Sequence, residues 1–227
     1  MCGRFALSAN AGNIEKLMPE LRINTEIISR YNIAPSQNIY AIINNEQTEL
    51  TELQWGLIPS WAKDESIGNK IINARRETLN EKPAFKQLIK RKRCLIPASG
   101  YYEWRKEGRG GNKQPYFIKV KNEGLITIAG LWDEWLSPTG DIVRTAALIT
   151  RPALNTIEFI HDRMPAIINN YFRKQWLSPT TPPDEILKIL NNIEKCELEY
   201  YTVSKAVNNP AYDDNSLIEK QSDNFFD

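Results

Sequence analysis

Seven stretches of the chain are crowded with apolar, β-branched and aromatic residues in short runs: "IYAIIN" (39–44), "LTELQWGLI" (50–58), "RCLIPASGYYEW" (93–104), "PYFIKV" (115–120), "LITIAGLWDEW" (125–135), "VRTAALIT" (143–150) and "ELEYYTV" (197–203). Runs of this length and composition predict β-strands. Turn signals such as "EGRGGNKQ" (107–114) and "SPTGD" (137–141) fall between them, so neighbouring strands are expected to pair antiparallel. Helical spacing is scarcer. It predicts helices at "AGNIEKLMPE" (11–20), "PAFKQLIKRK" (83–92), "PALNTIEFI" (152–160), "NYFRKQWL" (170–177) and "PDEILKILNNIEK" (183–195). Several begin with Pro, which costs nothing in a first turn because that N–H has no helical acceptor anyway. The fold class is α+β, a mainly antiparallel, curved or barrel-like sheet with flanking helices. One domain is expected over 1–207, followed by an acidic, loosely ordered tail over 208–227.

Composition narrows the class without naming a function. The 227 residues are 41% hydrophobic and 25% charged, ordinary for a soluble globular protein. No apolar run approaches the ~20 residues of a membrane span, and the start carries charge where a signal peptide is apolar. A cytoplasmic protein is expected, with no membrane partner. With three cysteines and one histidine, neither a disulfide framework nor a metal centre is expected, and no cofactor is implied.

Charge adds one asymmetry. The net charge is +1, but residues 213–227 hold four Asp and one Glu against one Lys, while residues 61–115 hold 14 Lys and Arg against 6 Asp and Glu. Such local basicity suits a polyanion, or merely a solvated face.

The first five residues, "MCGRF", hold the candidate chemistry. Removal of Met1 would leave Cys2 with an α-amine and a thiol on adjacent carbons. With ordinary pKa values of about 7.7–8.0 and 8.5, a useful fraction of each would be nucleophilic near neutrality without tuning. Two reactions use the pair. The amine can act as base for its own side chain, as in N-terminal-nucleophile amidohydrolases. Alternatively it condenses with an aldehyde to a Schiff base, on which the thiol closes a five-membered thiazolidine.

Further motifs bear on the choice. "MCGRF", "NIAPSQ", "WGLIPSWAKD", "INARRET", "AFKQLIKRKRCLIPASGYYEW", "IAGLWDEW" and "IHDRMPAII" resemble, in order and approximate spacing, those of the SRAP family of SOS-response-associated peptidases or abasic-site processing proteins. The resemblance covers residues 2 to about 207. It implies covalent capture of abasic sites in single-stranded DNA by the N-terminal cysteine, as a thiazolidine cross-link, in the DNA damage response near the replication fork. It also brings the family's peptidase and lyase labels, and a monomeric state is expected.

Carried over by motif, Cys2 matches the nucleophile and Asn73 a polar group holding the reacting end. Glu103 and His161 match groups beside the cysteine, suited to the proton transfers that open the sugar ring and expel water. Arg4, Arg75 and Arg163 match basic positions along the DNA groove, with Arg76 a weaker match; guanidinium forks suit phosphate. Pro35 and Trp61 match apolar wedges beside the missing base. Ala62 stands where some members carry a second aromatic, which places more weight on Trp61. Trp55, Trp104, Trp132 and Trp135 are assigned to the core. Two rivals are weighed: a glutaminase that also begins Met-Cys-Gly, whose early histidine segment this chain lacks, and a non-catalytic single-strand binder.

Overall fold

The computed structural model describes residues 2–44, 46–108, 111–191 and 196–221. Its strands are β1 (Phe5–Leu7), β2 (Arg22–Ile23), β3 (Arg30–Ile33), β4 (Asn38–Asn44), β5 (Thr48–Trp55), β6 (Asn73–Arg75), β7 (Arg93–Ala98), β8 (Gly100–Glu107), β9 (Asn112–Val120), β10 (Ile126–Leu136), β11 (Ile142–Pro152), β12 (Arg163–Pro165) and β13 (Leu198–Thr202). The helices are short: α1 (Ala11–Glu15), α2 (Pro83–Lys86), α3 (Leu88–Arg91), α4 (Arg173–Leu177) and α5 (Pro183–Asn191). No helix among the described residues is long and apolar enough to cross a membrane.

Five strands close a ring. β11 pairs with β10, β10 with β7, β7 with β4 and β4 with β5, all antiparallel. β5 then returns to β11 through a parallel contact, Gln54 beside Thr145 and Trp55 beside Ala146. Closure covers only part of the β5 and β11 edges, and β2, β6 and β12 pair with the rest. β10 is buried along nearly its whole length instead of alternating, one face inside the ring and the other covered by elements such as α3 and the segment bridged at Ile167. The α+β, barrel-like expectation therefore holds.

A second sheet, ordered β13-β9-β8-β1-β3, lies beside the barrel and carries the start of the chain. β1 is flanked antiparallel by β3 and β8, with Phe5 opposite Ile33 and Tyr101. This arrangement depends on Gly100, because a Cβ there would stand 2.5 Å from Phe117 Cζ and 2.7 Å from the Ile118 carbonyl oxygen.

Four expectations need correction. The run 93–104 is not one strand: β7 belongs to the barrel and β8 to the second sheet, with the break at Ser99. The helix expected at 152–160 is a set of bonded turns, Ile157 and Glu158 N–H to Leu154 O and Ile160 and His161 N–H to Ile157 O. The chain must reverse there within ten residues so that Arg163 returns opposite Pro152, which leaves no length for a helix. Trp55, Trp132 and Trp135 are core residues, but Trp104 is only half-buried, donating from Nε1 to Asn208 Oδ1 at 2.7 Å. Finally, part of the basic stretch braces the interior. Arg93 is buried and spends its guanidinium on the carbonyls of Ile89, Trp176 and Ser178, and Lys92 reaches Asp133 at 3.0 Å.

α5 ends the described part of the helix expected at 183–195, since 192–195 lie outside the described residues. Of the segment from 208 on, residues up to 221 are described. Asp213 accepts from the backbone N–H groups of Tyr31 and Asn32, and Leu217 is buried in a small cluster with Tyr102 and Phe117; 222–227 lie outside the described residues.

Candidate active site around Cys2

Strand alternation sorts the residues of "GYYEW". Tyr101 joins the main core, in the same cluster as Cys2 and Phe5, whereas Tyr102 joins the smaller cluster with Phe117 and Val207. Glu103 shares the Tyr101 face of β8 and is also buried. From the barrel side, β6 runs parallel to β11 with Asn73 beside Leu148. Its Nδ2 donates to the Cys2 carbonyl at 2.8 Å, joining the two sheets at the reacting end of the chain.

Cys2 is fully buried, and its Sγ lies 3.9 Å from the Arg4 carbonyl oxygen. Burial, reinforced by the neighbouring Glu103 carboxylate, pushes the thiol far above its ordinary pKa. With Met1 in place the thiol is therefore disfavoured as a thiolate, and a reaction at sulfur in this setting calls for a base. Burial likewise raises the Glu103 carboxyl, with the charge of His161 working against that rise. A thiol and a carboxyl whose pKa values are both raised by burial therefore share one site with an imidazole, an arrangement suited to relaying protons.

His161 is set by its neighbours. Its Nδ1 lies 3.0 Å from the Arg163 backbone N–H and 2.8 Å from Asp162 Oδ1. These contacts hold the Nδ1 edge and leave Nε2 as the opposite edge of the ring.

The three arginines differ. Arg75 is exposed at the end of β6, on the Asn73 side of the strand with buried Ala74 between them. Arg163 is held: Nη1 and Nη2 each reach a Glu77 carboxylate oxygen at 2.9 Å, and Nη2 also donates to Thr150 O at 2.8 Å. Partial burial opposes ionisation of Glu77, but Arg163 and Arg76 outweigh it and hold that carboxyl below its usual range. Arg4 turns toward the second cluster, where Nη1 donates to Asn32 Oδ1 at 2.6 Å and Val207 O at 2.7 Å and the guanidinium sits 6.0 Å over the Trp104 ring. Arg76 donates to Asn191 Oδ1 at 2.6 Å.

Pro35 and Trp61, the expected wedges, each stand on a turn. Ala34-Pro35-Ser36-Gln37 is a turn closed by Gln37 N–H to Ala34 O at 3.3 Å, with Ser36 at φ 70°. Pro followed by positive φ marks a type II turn, in which glycine usually holds the third place. Ser36 is kept there by its N–H on Trp55 O at 2.7 Å and its Oγ 3.2 Å from Asn69 Oδ1. Trp61 is 59% exposed. Its turn is pinned from β10, where Asp133 accepts from the Ser60 N–H at 2.8 Å and Trp135 Nε1 donates to Ala62 O at 2.7 Å.

The sequence profile of the family described as SOS response associated peptidase (SRAP) matches residues 1–210. The chain belongs to this family. Among SRAP-related sequences, the abasic site processing protein YoqW of Bacillus subtilis is 43% identical over 96% of this chain and 99% of its own. The abasic site processing protein HMCES of Gallus gallus is 30% identical over 92% of this chain and 74% of its own. A crystal structure of a Bacteroides thetaiotaomicron protein superposes with a TM-score of 0.85 at 29% identity, over 97% of this chain and all of that one.

The motif reading singled out Glu103 but passed over Tyr101, because only the fold shows that the Tyr101 hydroxyl is buried beside this SRAP site. That hydroxyl has no hydrogen-bond partner among the described residues, and burial, with Cys2 and Glu103 nearby, raises its pKa well above the ordinary value. An unpaired buried hydroxyl costs about 1–3 kcal/mol. Tyr101→Phe should therefore raise the melting temperature by a few degrees, roughly 2–4 °C per kcal/mol for a chain of this size. A lower melting temperature would show that the hydroxyl has a partner in solution.

Proposed function

We propose that this SRAP chain, once Met1 is removed, captures the ring-opened aldehyde of an abasic site in single-stranded DNA through Cys2. The amine adds to the aldehyde carbon and water leaves, giving a Schiff base. The sulfur then bonds to that carbon, the C=N π bond opens, and the thiol proton ends on nitrogen, so the thiazolidine forms with one water as the only by-product. Glu103, whose burial favours the neutral carboxyl, gives a proton to the departing hydroxyl, recovers one from nitrogen as the neutral imine forms, and relays the thiol proton to nitrogen at ring closure. His161 serves the proton transfers that open the sugar hemiacetal. Asn73 fixes the Cys2 carbonyl and with it the positions of amine and thiol.

The observation that carries this reading is the Asn73 tie on Cys2 beside the buried Glu103. The names of the relatives, abasic site processing proteins at 43% and 30% identity, support the same substrate. Arg75 offers an exposed cation to a phosphate. Trp61 offers a stacking face for an unstacked neighbouring base.

The test combines intact mass with cross-linking. The purified protein should lack Met1 and form a heat-stable adduct with an abasic oligonucleotide, faster on a single strand than on a paired duplex. Retained Met1 together with full cross-linking, or equal rates on both DNAs, would contradict the reading. Trp61→Ala should weaken single-strand binding about 5- to 150-fold, the span expected for one base–aromatic stack. Filter binding on undamaged single strands measures this directly.

A further inference from the structure

A second polar site lies away from the Cys2 chemistry. α1, the turn at 123–125 and the start of α4 border a cleft of about 570 Å³, lined among others by Asn13, Lys16, Glu123 and Arg173. Arg173 is only 7% exposed. Its Nε donates to Thr127 Oγ1 at 3.1 Å and its Nη1 to Leu17 O at 2.9 Å. Thr127 Oγ1 in turn donates to Ile168 O at 2.9 Å, so the guanidinium is held from behind.

What this guanidinium lacks is a carboxylate in direct contact. It forms no ion pair among the described residues, and Nη2 has no hydrogen-bond partner there, although Arg173 lines the cleft. A buried cation is costly unless it is paired. Two neutral acceptors satisfy part of the fork and leave the charge facing the opening. Lys16 adds a second cation at the rim, and Glu123 is the carboxylate lining the same opening, acting on Arg173 only at a distance. Burial lowers the Arg173 pKa, with the Glu123 charge working against that shift, as expected of a guanidinium drawn out of water without a carboxylate in contact.

We infer that this cleft binds a phosphate-sized oxyanion, received by Arg173 Nη2 at the floor and Lys16 at the rim, with Glu123 limiting its affinity. The chemistry is shared by free inorganic phosphate and by the terminal phosphate of a DNA strand, and the inference does not depend on the reading of Cys2.

The experiment uses the full chain with thermal unfolding and titration calorimetry. Inorganic phosphate, at ionic strength matched with chloride, should raise the melting temperature saturably, by about 3–6 °C at tenfold over its Kd. Lys16 is exposed, so Lys16→Ala should fold normally and lose at least half of that rise, whereas Glu123→Gln should tighten phosphate binding several-fold. Short undamaged oligonucleotides with a 5′-phosphate or a 5′-hydroxyl then separate the sources. A phosphate-dependent gain that Lys16→Ala removes assigns the site to strand ends, and equal binding of the two assigns it to the free anion. No rise with phosphate beyond the chloride control, or the same rise in Lys16→Ala and Glu123→Gln as in the unaltered chain, overturns the inference.

Discussion

Cys2→Ala should reduce heat-stable cross-linking to an abasic oligonucleotide to background while leaving single-strand affinity within about twofold, since the phosphate and stacking contacts that dominate such binding lie elsewhere. After Met1 removal the variant still carries an α-amine, so it should form a Schiff base, and borohydride should convert that to a stable secondary amine. A stable adduct without borohydride would remove the thiol from the mechanism. Cys196→Ser is the control. That residue is half-buried, and its substitution should leave the yield unchanged. Because the Cys2 thiol is held protonated by burial, the ring-closing step should also speed up with pH through the neutral range.

Glu103→Gln should slow adduct formation about 100-fold or more, the range expected when a general acid–base group is lost, and should at the same time stabilise the fold at neutral pH. The sign follows from linkage. Burial raises the folded-state pKa of Glu103, so between the unfolded value, about 4.3, and the raised value the native chain binds more protons than the unfolded one. Stability contributed by this group is complete below the unfolded pKa and is lost as pH rises through the folded one. Glutamine has no charge to desolvate. The difference in melting temperature between variant and parent should therefore be positive at pH 7 and shrink toward pH 4. Cross-linking rates and thermal scans over that range check both halves. Unchanged rates would make Glu103 structural. A variant less stable at pH 7 would show that the carboxylate is better satisfied than its burial implies. His161→Ala should instead act on ring opening and on adduct reversal, followed by adding a competitor trap after the adduct has formed.

Much of the fold was legible because strands such as 39–44 and 143–150 are long enough to show their composition. β2, β6 and β12 were not, since two or three residues carry no period; they are strands only because β5 and β11 offer them edges. The run 93–104 read as one strand because both halves are apolar, and nothing local marks Ser99 as the point where the chain changes sheets. Cys2, Asn73, Glu103 and His161 could be named from their motifs. What could not be read was their state. The burial of the thiol, the Glu77 clasp on Arg163 and the turning of Arg4 toward Val207 are set by residues 71 to 203 positions away, which no local pattern encodes.

Residues 2–7 have almost no structure of their own making. Phe5 and Leu7 pair with Ile33 and Arg30, Ala6 with Gly100, the Cys2 carbonyl with Asn73, and Arg4 with Val207. Every anchor but the weak sulfur contact is remote in sequence, so the segment gains order only when the rest of the molecule is in place, and it loses order as a unit when any one anchor lets go. In hydrogen-exchange terms, the amides of residues 4–7 should open together with those of 205–213, ahead of the barrel strands β10 and β11. Such a partial opening carries the fully enclosed Cys2 into water without unfolding the barrel. Access to the reacting end is then governed by how firmly the far end of the chain, through Asn32, Val207 and Asp213, holds Arg4 and its strand down.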